Sequence, residues 1–121
     1  MAAIILIDDD PIVLKLVRAM LVKAGHEVRE ASSGDEGIRL FNERKADLVI
    51  TDIIMPDKDG METIIEIRRK AREVKIIAIS GGAGFAPEHY LDTAQLFGAH
   101  RIIKKPFTFD ELVAVVDDVL G

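Results

Sequence analysis

The sequence predicts an α/β protein, a doubly wound (βα)5 sandwich built on a five-stranded parallel sheet. Two observations carry that expectation. Five short, β-branched runs alternate with longer stretches of helical periodicity. The first, third and fourth runs are apolar at successive positions, as in strands buried on both faces. Helices must then cover both sides of the sheet.

Taken in order, the first strand is "AIILID" (residues 3–8). The first helix is "PIVLKLVRAMLVKAG" (11–25). Asp10 stands where an N-cap belongs, Pro11 fits the first turn, and Gly25 suits the C-terminal stop. Val13, Leu14, Val17, Met20 and Leu21 share one apolar face. The second strand, "HEVREAS" (26–32), sets charged residues around Val28 and reads as an edge. A second helix runs from about Asp35 to Arg44, with Ile38, Leu40 and Phe41 inward. The third strand is "DLVITD" (47–52). The third helix follows Gly60, with Ile64, Ile65 and Ile67 inward and Arg68, Arg69 and Lys70 outward. The fourth strand is "KIIAIS" (75–80), and a fourth helical stretch covers about Pro87 to Phe97. The fifth strand is "HRIIKK" (100–105). The fifth helical stretch lies in "TFDELVAVVDDVL" (108–120), where Thr108 and Glu111 have capping-box spacing.

The 121 residues suffice for one domain with a proper core, and the expectation is a single domain over 1–121 with no output domain visible. The absence of cysteine excludes disulfides, thiolate catalysis and zinc–thiolate sites. A net charge of -5 disfavours a general nucleic-acid surface. The first apolar run is too short for a signal peptide or a membrane span, so a cytoplasmic protein is expected. His26, His89 and His100 are scattered, and surface or packing roles outweigh metal ligation for each. "GGAG" (81–84) lacks the Lys-Ser/Thr of a phosphate loop and reads as a connection. "MPDKDG" (55–60) reads as a turn.

The polar ends of the strands are more informative. In open parallel sheets, ligands bind beyond the carboxyl ends of the strands. Strand one ends on Asp8 and Asp9, strand three on Asp52, strand four on Ser80, and strand five on Lys104 and Lys105. Three carboxylates, a hydroxyl and an ammonium therefore converge on one edge. An oxygen-only donor set suits a hard cation such as Mg2+. Such a cation would also explain three adjacent aspartates at the end of a buried run. Metal, carboxylate, hydroxyl and lysine together describe phosphoryl transfer to aspartate, with Asp52 as nucleophile and Ser80 and Lys105 on the phosphoryl oxygens.

The motifs "ILIDDD" (5–10), "LVITDIIMPDKDG" (48–60), "IIAISG" (76–81) and "GAHRIIKKPF" (98–107) occur in register across nearly the whole chain. In this the sequence resembles the receiver domain of two-component response regulators, of the stand-alone CheY-like kind. The resemblance implies a flavodoxin-like fold with strand order 2-1-3-4-5. It implies that Asp52 is the phosphoacceptor, that Asp9 and Asp52 bind Mg2+ directly with the backbone carbonyl of Ile54, and that Asp8 acts mainly through water. Ser80 becomes the switch hydroxyl and Lys105, not Lys104, the salt-bridging lysine, ahead of a cis bond to Pro106. The expected partners are a histidine kinase or histidine phosphotransfer protein as donor, and a downstream protein on the face of the fourth helical stretch, the fifth strand and the fifth helical stretch. Such a domain catalyses its own phosphorylation and slow dephosphorylation without being a conventional turnover enzyme. Two features depart from the family. Ile102 stands where an aromatic residue is usual, and the stretch from Ser80 to Gly98 is about one helical turn longer.

Two other readings use the same residues. A small Mg2+-dependent phosphatase with an aspartate nucleophile shares the chemistry, but wants an Asp-x-Asp pair after strand one and a cap over the site. A phosphorylation-independent scaffold would keep the residues without the adduct.

Overall fold

The structure is a computed structural model and describes residues 1–53, 60–80 and 98–121. Five parallel strands form one sheet in the order β2-β1-β3-β4-β5. They are β1 (Ala3–Ile7), β2 (Glu27–Ala31), β3 (Leu48–Asp52), β4 (Lys75–Ser80) and β5 (Arg101–Lys104). The helices are α1 (Pro11–Lys23), α2 (Gly34–Glu43), α3 (Gly60–Lys70) and α4 (Phe109–Leu120), the last being the fifth predicted helical stretch. The predicted fourth stretch, the "GGAG" connection, His89, most of the "MPDKDG" turn and Ile54 lie outside the described residues.

Successive strand residues face opposite ways, and the sequence fills both sides. Ile5, Ile7, Val49, Ile76 and Ala78 pack with Ile38 and Phe41 of α2 and Ile64 and Ile67 of α3. Ile4, Leu6, Leu48, Ile50, Ile77, Ile79 and Ile103 pack with Leu14, Val17 and Leu21 of α1 and with Leu112, Val116 and Val119 of α4. This two-layer core explains why β1, β3 and β4 show no polar alternation. β2, at the sheet edge, keeps Glu27 and Glu30 exposed.

The helix ends follow the capping chemistry. The Asp10 carboxylate accepts the Ile12 N–H at 2.9 Å, and Pro11 opens α1. Thr108 Oγ1 accepts the Glu111 N–H at 3.1 Å at the start of α4. α2 begins at Gly34, earlier than periodicity suggests, because Ser33 caps it. The Ser33 hydroxyl accepts the Glu36 N–H, and the Glu36 carboxylate accepts the Ser32 N–H in return.

Two expectations about side-chain direction fail. Ile65 is only half-buried, whereas Leu40, also half-buried, does pack against the core layer of α2 and α3. Arg68 does not point away from the protein. Its guanidinium donates to the carbonyls of Arg72 (2.7 Å), Val74 (2.8 Å) and Gly98 (2.8 Å). Three loop carbonyls, two between α3 and β4 and one before β5, are worth more to a planar five-donor group than solvent is. Gly98 has a φ of 119° and any Cβ there would lie 2.9 Å from Arg68 Nε, so the position requires glycine.

Candidate functional site at the carboxyl edge of the sheet

Chain direction places the candidate residues. β1 and β3 run side by side, and each delivers an acid at its carboxyl end. Asp8 follows the last residue of β1, its own N–H still donating to the Ala31 carbonyl of β2 at 3.1 Å. Asp52 is the last residue of β3, paired in register with Ile79 of β4. Asp8 is fully buried and Asp52 is 7 % exposed, whereas Asp9 is exposed. One carboxylate oxygen from each of Asp8, Asp9 and Asp52 lies within 4.8 Å of the other two.

Lys105 enters from β5. Its backbone N–H donates to the Ser80 carbonyl at 2.8 Å, which extends the β4–β5 ladder past the end of the strand. The bond from Lys105 to Pro106 is cis. The Lys105 Nζ donates to Asp8 Oδ2 at 3.3 Å and stands 3.8 Å from Asp52 Oδ2. Lys104 is exposed. Ser80, also 7 % exposed, closes β4 one residue beyond the partner of Asp52. The fold thus gathers Asp8, Asp9, Asp52 and Lys105, with Ser80 at the adjoining strand end. Ile102 is half-buried against the core layer of α2 and α3, opposite Ala78.

The electrostatics follow from crowding acids out of water. Burial pushes the Asp52 carboxyl up to about 6, helped by the neighbouring Asp8 and opposed by the Lys105 ammonium. Burial raises Asp8 as well, against the Asp10 N–H, which donates to its Oδ1 at 2.9 Å, and against Lys105. The donor set is all oxygen, compact and partly buried, which fits a hard divalent cation. Asp10 is not part of it; its side chain is committed to the cap of α1.

One buried polar residue next to this cluster gave no signal in the periodicity. Thr51 reads as an ordinary strand residue, yet its hydroxyl donates to the Asp52 carbonyl at 3.0 Å.

The family model of the response regulator receiver domain matches residues 4–117. The chain belongs to that family. This receiver domain is 37 % identical over 119 residues to the transcriptional regulatory protein GlrR of Escherichia coli K12, covering 98 % of this chain and 26 % of GlrR. It is 33 % identical over 122 residues to the sensor kinase CckA of Brucella abortus, covering 98 % of this chain and 12 % of CckA. Among solved structures, the receiver domain of NtrX from Brucella abortus superposes with a TM-score of 0.91 at 31 % identity, over 97 % of both chains. The chain thus spans about a quarter of the length of GlrR. A receiver is a signalling domain and not a turnover enzyme. No helix among its described residues is long and apolar enough to cross a membrane.

Proposed function

We propose that residues 1–121 form one receiver domain that takes a phosphoryl group on Asp52. The donor is a histidine kinase or a histidine phosphotransfer protein. The observation that carries this reading is the buried Asp52 carboxylate between two further acids and the Lys105 ammonium.

At neutral pH, a carboxyl titrating near 6 is mostly ionised and remains a competent nucleophile. An Asp52 oxygen attacks phosphorus, a new P–O bond forms, and the bond from phosphorus to the donor imidazole breaks. The electron pair leaves with the imidazole nitrogen. Asp8, Asp9 and Asp52, with the Ile54 carbonyl, would hold Mg2+, whose charge offsets the clustered carboxylates and the phosphoryl oxygens. Lys105 is 3.8 Å from Asp52 and shifts its charge from Asp8 toward the incoming group. Ser80 hydrogen-bonds a phosphoryl oxygen from the neighbouring strand end. Hydrolysis of the acyl phosphate, slow and catalysed by the same site, returns the domain to rest.

The phosphorylated state is read by a protein partner on the face of β5, α4 and the stretch between Ser80 and Gly98. The work takes place in the cytoplasm. The likeness to GlrR and to the sensor kinase CckA supports a place in a phosphorelay. The test is incubation with acetyl phosphate and Mg2+ followed by intact-mass measurement. The wild type gains one phosphoryl group and Asp52→Asn gains none. An equal, stable adduct in Asp52→Asn overturns the assignment.

A further inference from the structure

We infer that Thr51 is a positioning residue for Asp52, a role that rests on Asp52 being the working carboxylate. Thr51 is fully buried, and it sits between the strand that delivers Asp8 and the strand that delivers Ser80. Its partners in register are Ile7 of β1 and Ala78 of β4. The pairing of β3 with β1 ends at this residue. Beyond that point the peptide joining Asp52 to Ile53 takes its ladder bond from β4, not from β1. On the β4 side Asp52 is in register with Ile79, and the next amide, Ile53 N–H, donates to the Ile79 carbonyl at 3.0 Å.

At this position the Thr51 hydroxyl donates to the Asp52 carbonyl oxygen at 3.0 Å. That bond restrains the peptide plane joining Asp52 to Ile53. Rotation of the plane changes ψ at Asp52 and with it the aim of the Cα–Cβ bond. A carboxylate that must reach a shared site within 4.8 Å of two other acids tolerates little such rotation. Threonine meets both demands of the position. It is fully buried beside Ile7 and Ala78, and its hydroxyl supplies a donor at the point where pairing with β1 ends. Valine would match the shape and lack the donor.

The experiment uses the whole chain with Thr51→Val and Thr51→Ser. Mg2+ affinity is measured by titration calorimetry, and adduct formation from acetyl phosphate by intact mass. Thr51→Val weakens Mg2+ binding and slows adduct formation, by on the order of tenfold for a residue acting through a ligand. Thr51→Ser keeps the donor and stays close to wild type in both. Wild-type affinity and rate in Thr51→Val overturn the inference. Equal impairment in Val and Ser also overturns it, because packing would then be the cause. Should Thr51→Val not fold, Thr51→Ala takes its place as the variant without a donor. If the wild type forms no adduct, the phosphoryl-acceptor reading falls, and the Mg2+ affinities still decide the role of Thr51.

Discussion

The two edges of the sheet treat charge in opposite ways. At the amino edge, where the strands begin, polar groups are matched to backbone. Asp47 accepts the Ala3 N–H at 2.8 Å, His26 Nδ1 accepts the Ala2 N–H at 3.1 Å, and His100 Nδ1 accepts the Ile76 N–H at 3.2 Å. Arg68 ties the end of α3 to the chain entering β5. At the carboxyl edge three carboxylates cluster, Lys105 reaches two of them, Asp8 and Asp52, and the Asp52 carboxyl is pushed up to about 6. The amino edge is satisfied and contributes stability. At the carboxyl edge, burial and mutual repulsion of the acids outweigh Lys105 at Asp52, which costs stability.

The comparison breaks most sharply at Arg68. Arg68→Ala frees several carbonyls at once and should cost about 3 kcal/mol, read as a lower urea midpoint. Arg68→Lys should recover only part, because an ammonium cannot reach so many acceptors in one plane. A loss below about 0.5 kcal/mol, the range of an ordinary surface change, would remove the amino edge from the account.

At the carboxyl edge the sign reverses, so a charge removed should stabilise. A folded pKa of about 6 against an ordinary 3.8 means that the folded state binds more protons between those values. Stability therefore falls as pH rises from about 4 through 6, and Asp52 costs roughly 2–3 kcal/mol above that range. In the absence of Mg2+, Asp52→Asn should raise the unfolding free energy by that amount at pH 8 and change little at pH 4. Added Mg2+ should stabilise the wild type and narrow the gap. A variant no more stable than wild type at pH 8 without metal would show that Asp52 carries no such strain.

Gly98→Ala forces a strained φ beside Arg68 and should cost about 1–2 kcal/mol in the same urea experiment. A smaller separation concerns the acid run. Asp10→Ala should lose about 1 kcal/mol of cap stability and keep its Mg2+ affinity. Asp9→Ala should keep its stability and lose Mg2+ affinity. The reverse pattern would mean that the register along the run is wrong. The smallest effect is at His100, whose pKa is lowered by burial and by Arg68 and Lys75. Its folded state binds fewer protons, so its contribution is present at neutral pH and is lost as pH falls through and below the ordinary value of 6.5. His100→Gln should flatten that acid loss, opposite in slope to Asp52→Asn.

Much of this was legible because it obeys local rules. Strand and helix type follow from hydrophobic period, and the caps at Asp10 and Thr108 follow from side-chain chemistry two or three residues ahead. The gathering of Asp8, Asp9, Asp52 and Lys105 was legible in outline as well. Parallel strands end on the same edge, so the polar residues closing them had to meet. Strand order was not derivable from period and came from resemblance to a family.

What the tertiary structure alone decided is which of several similar residues does what. Asp8 and Asp9 are adjacent and chemically identical, yet one is fully buried and the other exposed. Arg68 and Arg69 are neighbouring arginines on α3, but only the former sits where loop carbonyls from Val74 and Gly98 converge. Thr51 looks like any strand threonine until the pairing of β3 with β1 is seen to stop beside it. The physical reason is common to all three. Desolvation, and the donors and acceptors within 3–4 Å, depend on residues far away in sequence. Local pattern determines what a segment becomes, and only the assembled sheet determines what each charge meets.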